Sequence, residues 1–309
     1  MGKFNQTVDP EARPKTILRP PIIHHICNEV TINDCAQVCH TVGTRPTMAV
    51  SSSEAAEASQ FVSAAVYNFG TFTKPRSIAI RSSVRITATR QIPVIVDPVG
   101  IHSYTSRRRL FVKSVRRWMR MFKRDQLRCT LVFRMNQSEL LALNDVFCRP
   151  KGHHDASGFE FSGVDAMSRD RCIKSICNIV TDYFDDRLPV CFVITGRLDY
   201  VFSTRAFRRL HGEEYDVQCE HDRQGFPMMN DRDCGMLATI SGGGCMLDSV
   251  IASYLVHCQD GRPTEVCFSA LSDYVEAARL AQEKCPGSGH FRAYLMDELA
   301  IIASHRFSE

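Results

Sequence analysis

Ser241-Gly242-Gly243-Gly244-Cys245 runs directly into Met246, Leu247, Val250, Ile251, Tyr254 and Leu255, an apolar pattern at helical spacing. Three successive glycines let the backbone aim its amides at one point, and the helix that follows adds the positive end of its macrodipole. Such a bend is a cradle for a phosphate, with Gly242, Gly243 and Gly244 as its floor. Cys245 falls on the first helical turn, where the same field favours a thiolate. A glycine hinge before a core helix would read the same way, so the neighbouring segments have to decide.

Four apolar, branched or aromatic runs read as buried strands: Ala64 to Tyr67, Ile92 to Val96, Cys129 to Phe133 and Val190 to Ile194. They end on Asn68, Asp97, Arg134 and Thr195, and helical patterns such as Glu54 to Phe61 and Arg171 to Tyr183 alternate with them. This alternation predicts an α/β chain with a mostly parallel central sheet flanked by helices. The four polar ends would then share the carboxyl edge, where ligands bind in such sheets. Asp97 and Glu139 are candidate magnesium ligands, since that ion takes a few carboxylate oxygens and leaves the rest to water and phosphate. An acid at a strand end also caps helices, and Asn136 with Glu139 has the spacing of a helix N-terminus.

The chain of 309 residues is 44% hydrophobic and 23% charged, enough for a large core. No apolar run approaches the roughly 20 residues that span a bilayer, and the N-terminus has no apolar signal core. Fourteen cysteines are scattered through apolar segments rather than set in a small loop-rich framework, so a cytoplasmic location is expected. Residues 1–20 carry three prolines and little periodicity and read as a flexible lead. In His24 to His40 the histidines and cysteines show no paired CxxC, and Cys35 and Cys39 share a helical face, so zinc is set aside. Met48 is either core filling or the soft wall of a small-molecule pocket.

Net charge is +4, but ten Lys or Arg against Asp125 alone fall within residues 107–128. Phe111, Val115, Trp118, Met119 and Phe122 recur there at helical spacing, which predicts an amphipathic basic helix over 107–124 covering the sheet. Through that helix alone a nucleic acid, an anionic membrane or an acidic partner is conceivable.

The ordered motifs HHICNEVTINDCA (24–36), GTRPTMA (43–49), NFGT (68–71), DPVG (97–100), FRMNQSEL (133–140), VITGRLDYV (193–201), ISGGGCML (240–247) and PGSGHFRAYLMDEL (286–299) resemble a hydroxyethylthiazole kinase of the ribokinase-like superfamily. The resemblance implies a ribokinase-like three-layer sandwich over residues 21–305, with insertions near 103–124 and 205–233. It implies ATP- and Mg2+-dependent phosphorylation of the hydroxyl of 4-methyl-5-(2-hydroxyethyl)thiazole, a thiamine-salvage step. By matching position, Met48, Gly242, Asn28 and Val30 would bind substrate, and Arg134, Thr195 and Asn136 would bind ATP. Asp97 and Glu139 would serve the metal, while Cys245, Gly243 and Gly244 would be catalytic. Family members assemble as trimers with the substrate at subunit contacts, so a homotrimer is expected.

The chain departs from that pattern at SGGGC in place of TGTGC, at Met135 in place of a glycine, and at Ile101 to Thr105 in place of GAGAT. Rival readings are a weakened pseudo-kinase or binding module using the basic helix, and a kinase for another thiamine-pathway alcohol. A cysteine hydrolase pairing Cys245 with distant His290 is the least favoured.

Overall fold

The β-branched and aromatic runs form one eight-stranded sheet in the order β2-β1-β3-β4-β5-β6-β7-β8. The computed structural model describes residues 19–147, 187–213 and 234–307, the single positions 175 and 184, and the backbone of 228–230. Its strands are β1 (Ile22–Ile26), β2 (Arg45–Thr47), β3 (Ala64–Asn68), β4 (Val94–Asp97), β5 (Leu131–Asn136), β6 (Cys191–Thr195), β7 (Asp199–Ser203) and β8 (Met228–Asn230). Strands β1 to β6 pair in parallel, whereas the β6–β7 and β7–β8 pairs are antiparallel. The four strands expected from sequence are the neighbours β3, β4, β5 and β6 at the centre of the sheet.

Helices α1 (Ile32–Thr41), α2 (Ser52–Ala58), α3 (Lys74–Thr89), α4 (Thr105–Asp125) and α5 (Gln137–Phe147) fall between these strands. They are followed by α6 (Arg205–His211), α7 (Gly243–His257), α8 (Pro263–Lys284) and α9 (Ser288–Arg306). One core joins α1, α7, α8 and α9 to the sheet, and a second joins α3, α4 and α5 to the opposite face, which gives three layers. Helix α7 is buried nearly all round. That burial explains why its sequence shows so little amphipathic contrast.

The two-residue period of a strand decides which side chains face α7. Ala64 and Val66, Ile95, Val132, and Cys191 and Val193 belong to the α7 core, whereas Ala65 and Tyr67, Val94 and Val96, Leu131 and Phe133, and Phe192 and Ile194 belong to the other. Continuing each alternation by one step puts Asn68, Asp97, Arg134 and Thr195 on the α7 face. The register aligns Asn68 with Asp97 and Asn136 with Thr195.

Helix α4 is the expected basic helix, and Phe111, Val112, Val115, Trp118 and Phe122 are buried against the sheet. The expected helix at Arg171 to Tyr183, residues 1–18 of the proposed lead, and residues 214–227 and 231–233 of the second insertion lie outside the described residues. Strand β1, not among the four strands expected from sequence, is a full member of the sheet, with Ile23 in one core and Ile26 in the other.

Truncating Trp118 to Ala should cost about 3–5 kcal/mol in urea unfolding, while Arg117→Gln on the outer face of the same helix should change stability by less than about 0.5 kcal/mol. Equal effects would remove the stripe from the core. A second expectation concerns His25 on β1, which lies 2.9 Å from the Ser249 hydroxyl of α7 and is held by burial at about 4, below the ordinary 6.5. Folding favours its neutral form, so this contribution is complete above pH 6.5 and is lost as pH falls toward 4, by about 2–3 kcal/mol at pH 4.5. Unfolding curves of wild type and His25→Gln at pH 7 and 4.5 check this, and equal pH slopes would refute it.

Candidate active site

Helix α7 begins at Gly243 behind Gly242, whose φ of 88° lies in the left-handed region that glycine adopts without strain. The first helical hydrogen bond runs from the Met246 N–H to the Gly242 carbonyl, 2.9 Å. The amides of Gly243, Gly244 and Cys245 therefore precede the helical ladder and point out of its start. A Cβ on Gly244 would sit 2.5 Å from the Arg134 guanidinium, so bare backbone is what lets the first turn close over that arginine. Gly242, Gly243 and Gly244 form one wall of a cavity of about 810 Å³, and Arg134, Asn136 and Thr195 contribute to its sheet side.

Beneath this turn Arg134 is buried between two carboxylates. It donates to Asp248 through Nε and Nη2 at 2.7 and 3.1 Å and forms an ion pair with Asp97. Burial opposes the guanidinium charge, but Asp248 and Asp97 outweigh it and hold the proton more firmly than usual. For Asp97 the balance goes the other way. Burial pushes its carboxyl well above the ordinary range, Arg134 pulls it down, and Asp248 and Glu139 push it further up.

Cys245 closes the group from the helix side. Its thiol donates to Asp97 Oδ2 at 3.4 Å and accepts from the amides of Asn68 at 3.2 Å and Asn28 at 3.5 Å. Asn68 also donates to the same Asp97 oxygen at 2.7 Å. The thiolate expected from the helix terminus is corrected here: burial and the adjacent Asp97 charge drive the thiol pKa well upward, although Arg134 opposes them. Desolvation of a thiolate and a neighbouring carboxylate here outweigh the helix terminus. Among the described residues Cys245 bonds to no histidine, and His290 is exposed at the start of α9.

Cys27, Cys35 and Cys245 make a small apolar cluster with Met48 and Val99 against it, which places Met48 beside the thiol. Val30 is separate from this cluster: its side chain is 71% exposed, and its backbone N–H is tied to Asn28 Oδ1. Thr195 and Asn136 line the large cavity on the other side of the glycine turn. Glu139 accepts backbone N–H groups of Gly100 and Asn136 at 2.8 and 2.9 Å, while Asn136 Oδ1 accepts from the Glu139 N–H. That reciprocal pair is the capping arrangement weighed against metal binding, and it joins the β4 and β5 loops.

For a divalent cation the acceptor that stands out is Asp97 Oδ1, which is buried without a hydrogen-bond partner. Asp97, Cys245 and Asp248 are the residues that bring three possible ligand atoms within 4.8 Å of one another among those described. Asp248 already spends both oxygens on Arg134, and a thiol suits hard cations poorly, so the set fits a magnesium-like ion through Asp97 with water and phosphate completing the shell. Asp248 and Tyr274, whose hydroxyl donates to the Gly243 carbonyl at 2.9 Å, escape sequence reading. The signal for Asp248 was a lone charge inside an otherwise apolar helix; Tyr274 had none.

The hydroxyethylthiazole kinase from Clostridium tetani is 28% identical over 294 residues, covering 94% of this chain and 91% of the relative. The enzyme of that name from Desulfitobacterium hafniense is 28% identical over 288 residues, covering 92% and 90%. Among solved structures, the hydroxyethylthiazole kinase protein of Pyrococcus horikoshii superposes with a TM-score of 0.68 at 20% identity, covering 91% of this chain and 87% of that one. A ribokinase-like superfamily protein of Enterococcus faecalis gives 0.52 at 11%, covering 90% and 86%. These two likenesses define the fold as ribokinase-like. The profile of the hydroxyethylthiazole kinase family matches residues 16–305, and the chain belongs to that family.

Proposed function

We propose that this chain transfers the γ-phosphoryl group of ATP to the hydroxyl of 4-methyl-5-(2-hydroxyethyl)thiazole, as the names of its relatives indicate. The observation that carries the reading is the left-handed glycine turn between two compartments, a nucleotide-sized cavity on one side and the Met48–Cys245 cluster on the other. Phosphoryl transfer asks the protein for alignment and charge neutralisation rather than covalent chemistry.

In this reading ATP lies along the 810 Å³ cavity beside Thr195 and Asn136, with its terminal phosphate on the amides of Gly243 and Gly244. Arg134 supplies fixed positive charge directly beneath. Asp97 would hold magnesium, with Glu139 orienting the adjoining loops, and the ion when bound would neutralise phosphate charge. The thiazole would rest near Met48, Asn28 and Gly242, with Val30 at the exposed rim. Cys245 would position the hydroxyl as a protonated thiol. Residues 21–305 would act as one catalytic unit in the cytoplasm, as a homotrimer.

The direct test is ADP release with and without the thiazole alcohol, with hydroxymethylpyrimidine as the rival acceptor. Thiazole-dependent release that stops on chelation of divalent cations and returns with magnesium is expected, and absence of thiazole-dependent release from folded protein would sink the assignment. Asp97→Ala and Arg134→Ala should each lower kcat by at least about 100-fold, whereas Cys245→Ser should stay within about tenfold. Asp248→Asn should lower kcat while leaving one carboxylate on the arginine. Arg134→Lys should fail to rescue, because an ammonium cannot reproduce the two-pronged contact. A Cys245→Ser loss as large as that of Asp97→Ala would return the main catalytic role to the thiol.

A further inference from the structure

Helix α4 presents a stripe that the proposed chemistry does not use. Arg109, Lys113, Arg116, Arg117, Arg120 and Lys123 are exposed at spacings of three and four, on the side opposite the buried Phe111–Phe122 stripe. Like charges at these separations repel along a helix, and a solvated surface helix ordinarily intersperses acids among them. Here the helix contains no acid before Asp125, which is held by Arg124. The adjacent α3 is likewise free of acid and adds Arg81 and Arg85.

Between α3 and α4 lies a cleft of about 170 Å³ whose lining includes Arg81, Lys113, Arg117, the half-buried Phe72 and the buried Phe69 and Trp118. Phe69 and Phe72 stack at 5.3 Å, and Phe72 is the half-buried ring of the pair. A line of cations along about 20 Å of helix, beside a cleft lined in part by the half-buried Phe72 ring, combines the two elements of single-strand nucleic-acid binding: a charged track for phosphates and a surface on which a base stacks. An anionic bilayer fits less well, because an adsorbed helix buries its apolar face in lipid and that of α4 is already consumed by the core. The predominance of arginine over lysine also favours phosphate, which the guanidinium fork grips at two oxygens.

We propose that the α3–α4 face binds single-stranded RNA, with phosphates on the α4 stripe and one base in the cleft at Phe72. Fluorescence anisotropy of a labelled polyuridine oligonucleotide, titrated with the full-length chain between about 50 and 200 mM salt, tests it. Binding should weaken with salt with a log–log slope near −4, six neutralised phosphates at about −0.7 each. The triple variant K113Q/R117Q/R120Q should bind at least about tenfold more weakly and lose about 2 from the slope.

Phe72→Ala should weaken binding at least about fivefold with the slope unchanged, the signature of lost stacking rather than lost charge. Arg109→Gln with Lys123→Gln provides a second pair at the stripe ends, read alongside thermal midpoints and thiazole-dependent turnover, both of which should match wild type. No binding at the lowest salt, an unchanged slope in the triple variant, or equal or tighter binding to duplex DNA, anionic vesicles or polyglutamate would overturn the proposal. Failure here leaves the kinase reading standing, since no residue of the α4 stripe or the cleft borders the glycine turn.

Discussion

A guanidinium buried between two carboxylates is the interaction on which the site rests. Arg134 comes from β5, Asp97 from the end of β4 and Asp248 from the second turn of α7, so a single buried ionic group ties the central strands to the central helix. Removing Arg134 would leave the buried carboxylates without a counter-charge, which typically costs about 3–5 kcal/mol. The same group sets the glycine turn, because Gly244 can approach only where no Cβ meets Arg134. Fold and glycine turn therefore share one constraint.

That constraint also distributes the protons. Burial, reinforced by the neighbouring carboxylates, raises Asp97, and burial together with the Asp97 charge keeps the Cys245 thiol protonated, while Arg134 opposes both. In this balance the Cys245 thiol acts as a hydrogen-bonding group shared by Asp97, Asn68 and Asn28. The two asparagines, Asn28 and Asn68, complete the thiol's surroundings and connect it to the end of β1, where the Met48 cluster begins.

Much of this was legible along the chain. The runs ending in Asn68, Asp97, Arg134 and Thr195 had the density of β-branched and aromatic residues that parallel strands need, and their polar ends marked the carboxyl edge. The glycine triplet announced a turn no other residue could make. The basic helix also declared its buried side through Phe111, Val115, Trp118 and Phe122. Asp248 was harder to see, since its meaning depends on an arginine 114 positions away. Tyr274 was invisible, because nothing local distinguishes a tyrosine that caps a carbonyl at a helix start from one that fills core.

The amino-acid sequence by itself determined the four central strands with their polar ends, the basic helix, the glycine-led helix and the family to which the chain belongs, because hydrophobic period, turn residues and motif order are local properties. Only the tertiary structure decided the pairing of Arg134 with Asp248, the direction of the Cys245 and Asp97 proton equilibria, and the presence of β1 inside the sheet. Each depends on burial and on charges brought together from distant segments, and the energy of a charge is set by what surrounds it in space rather than by its neighbours along the chain.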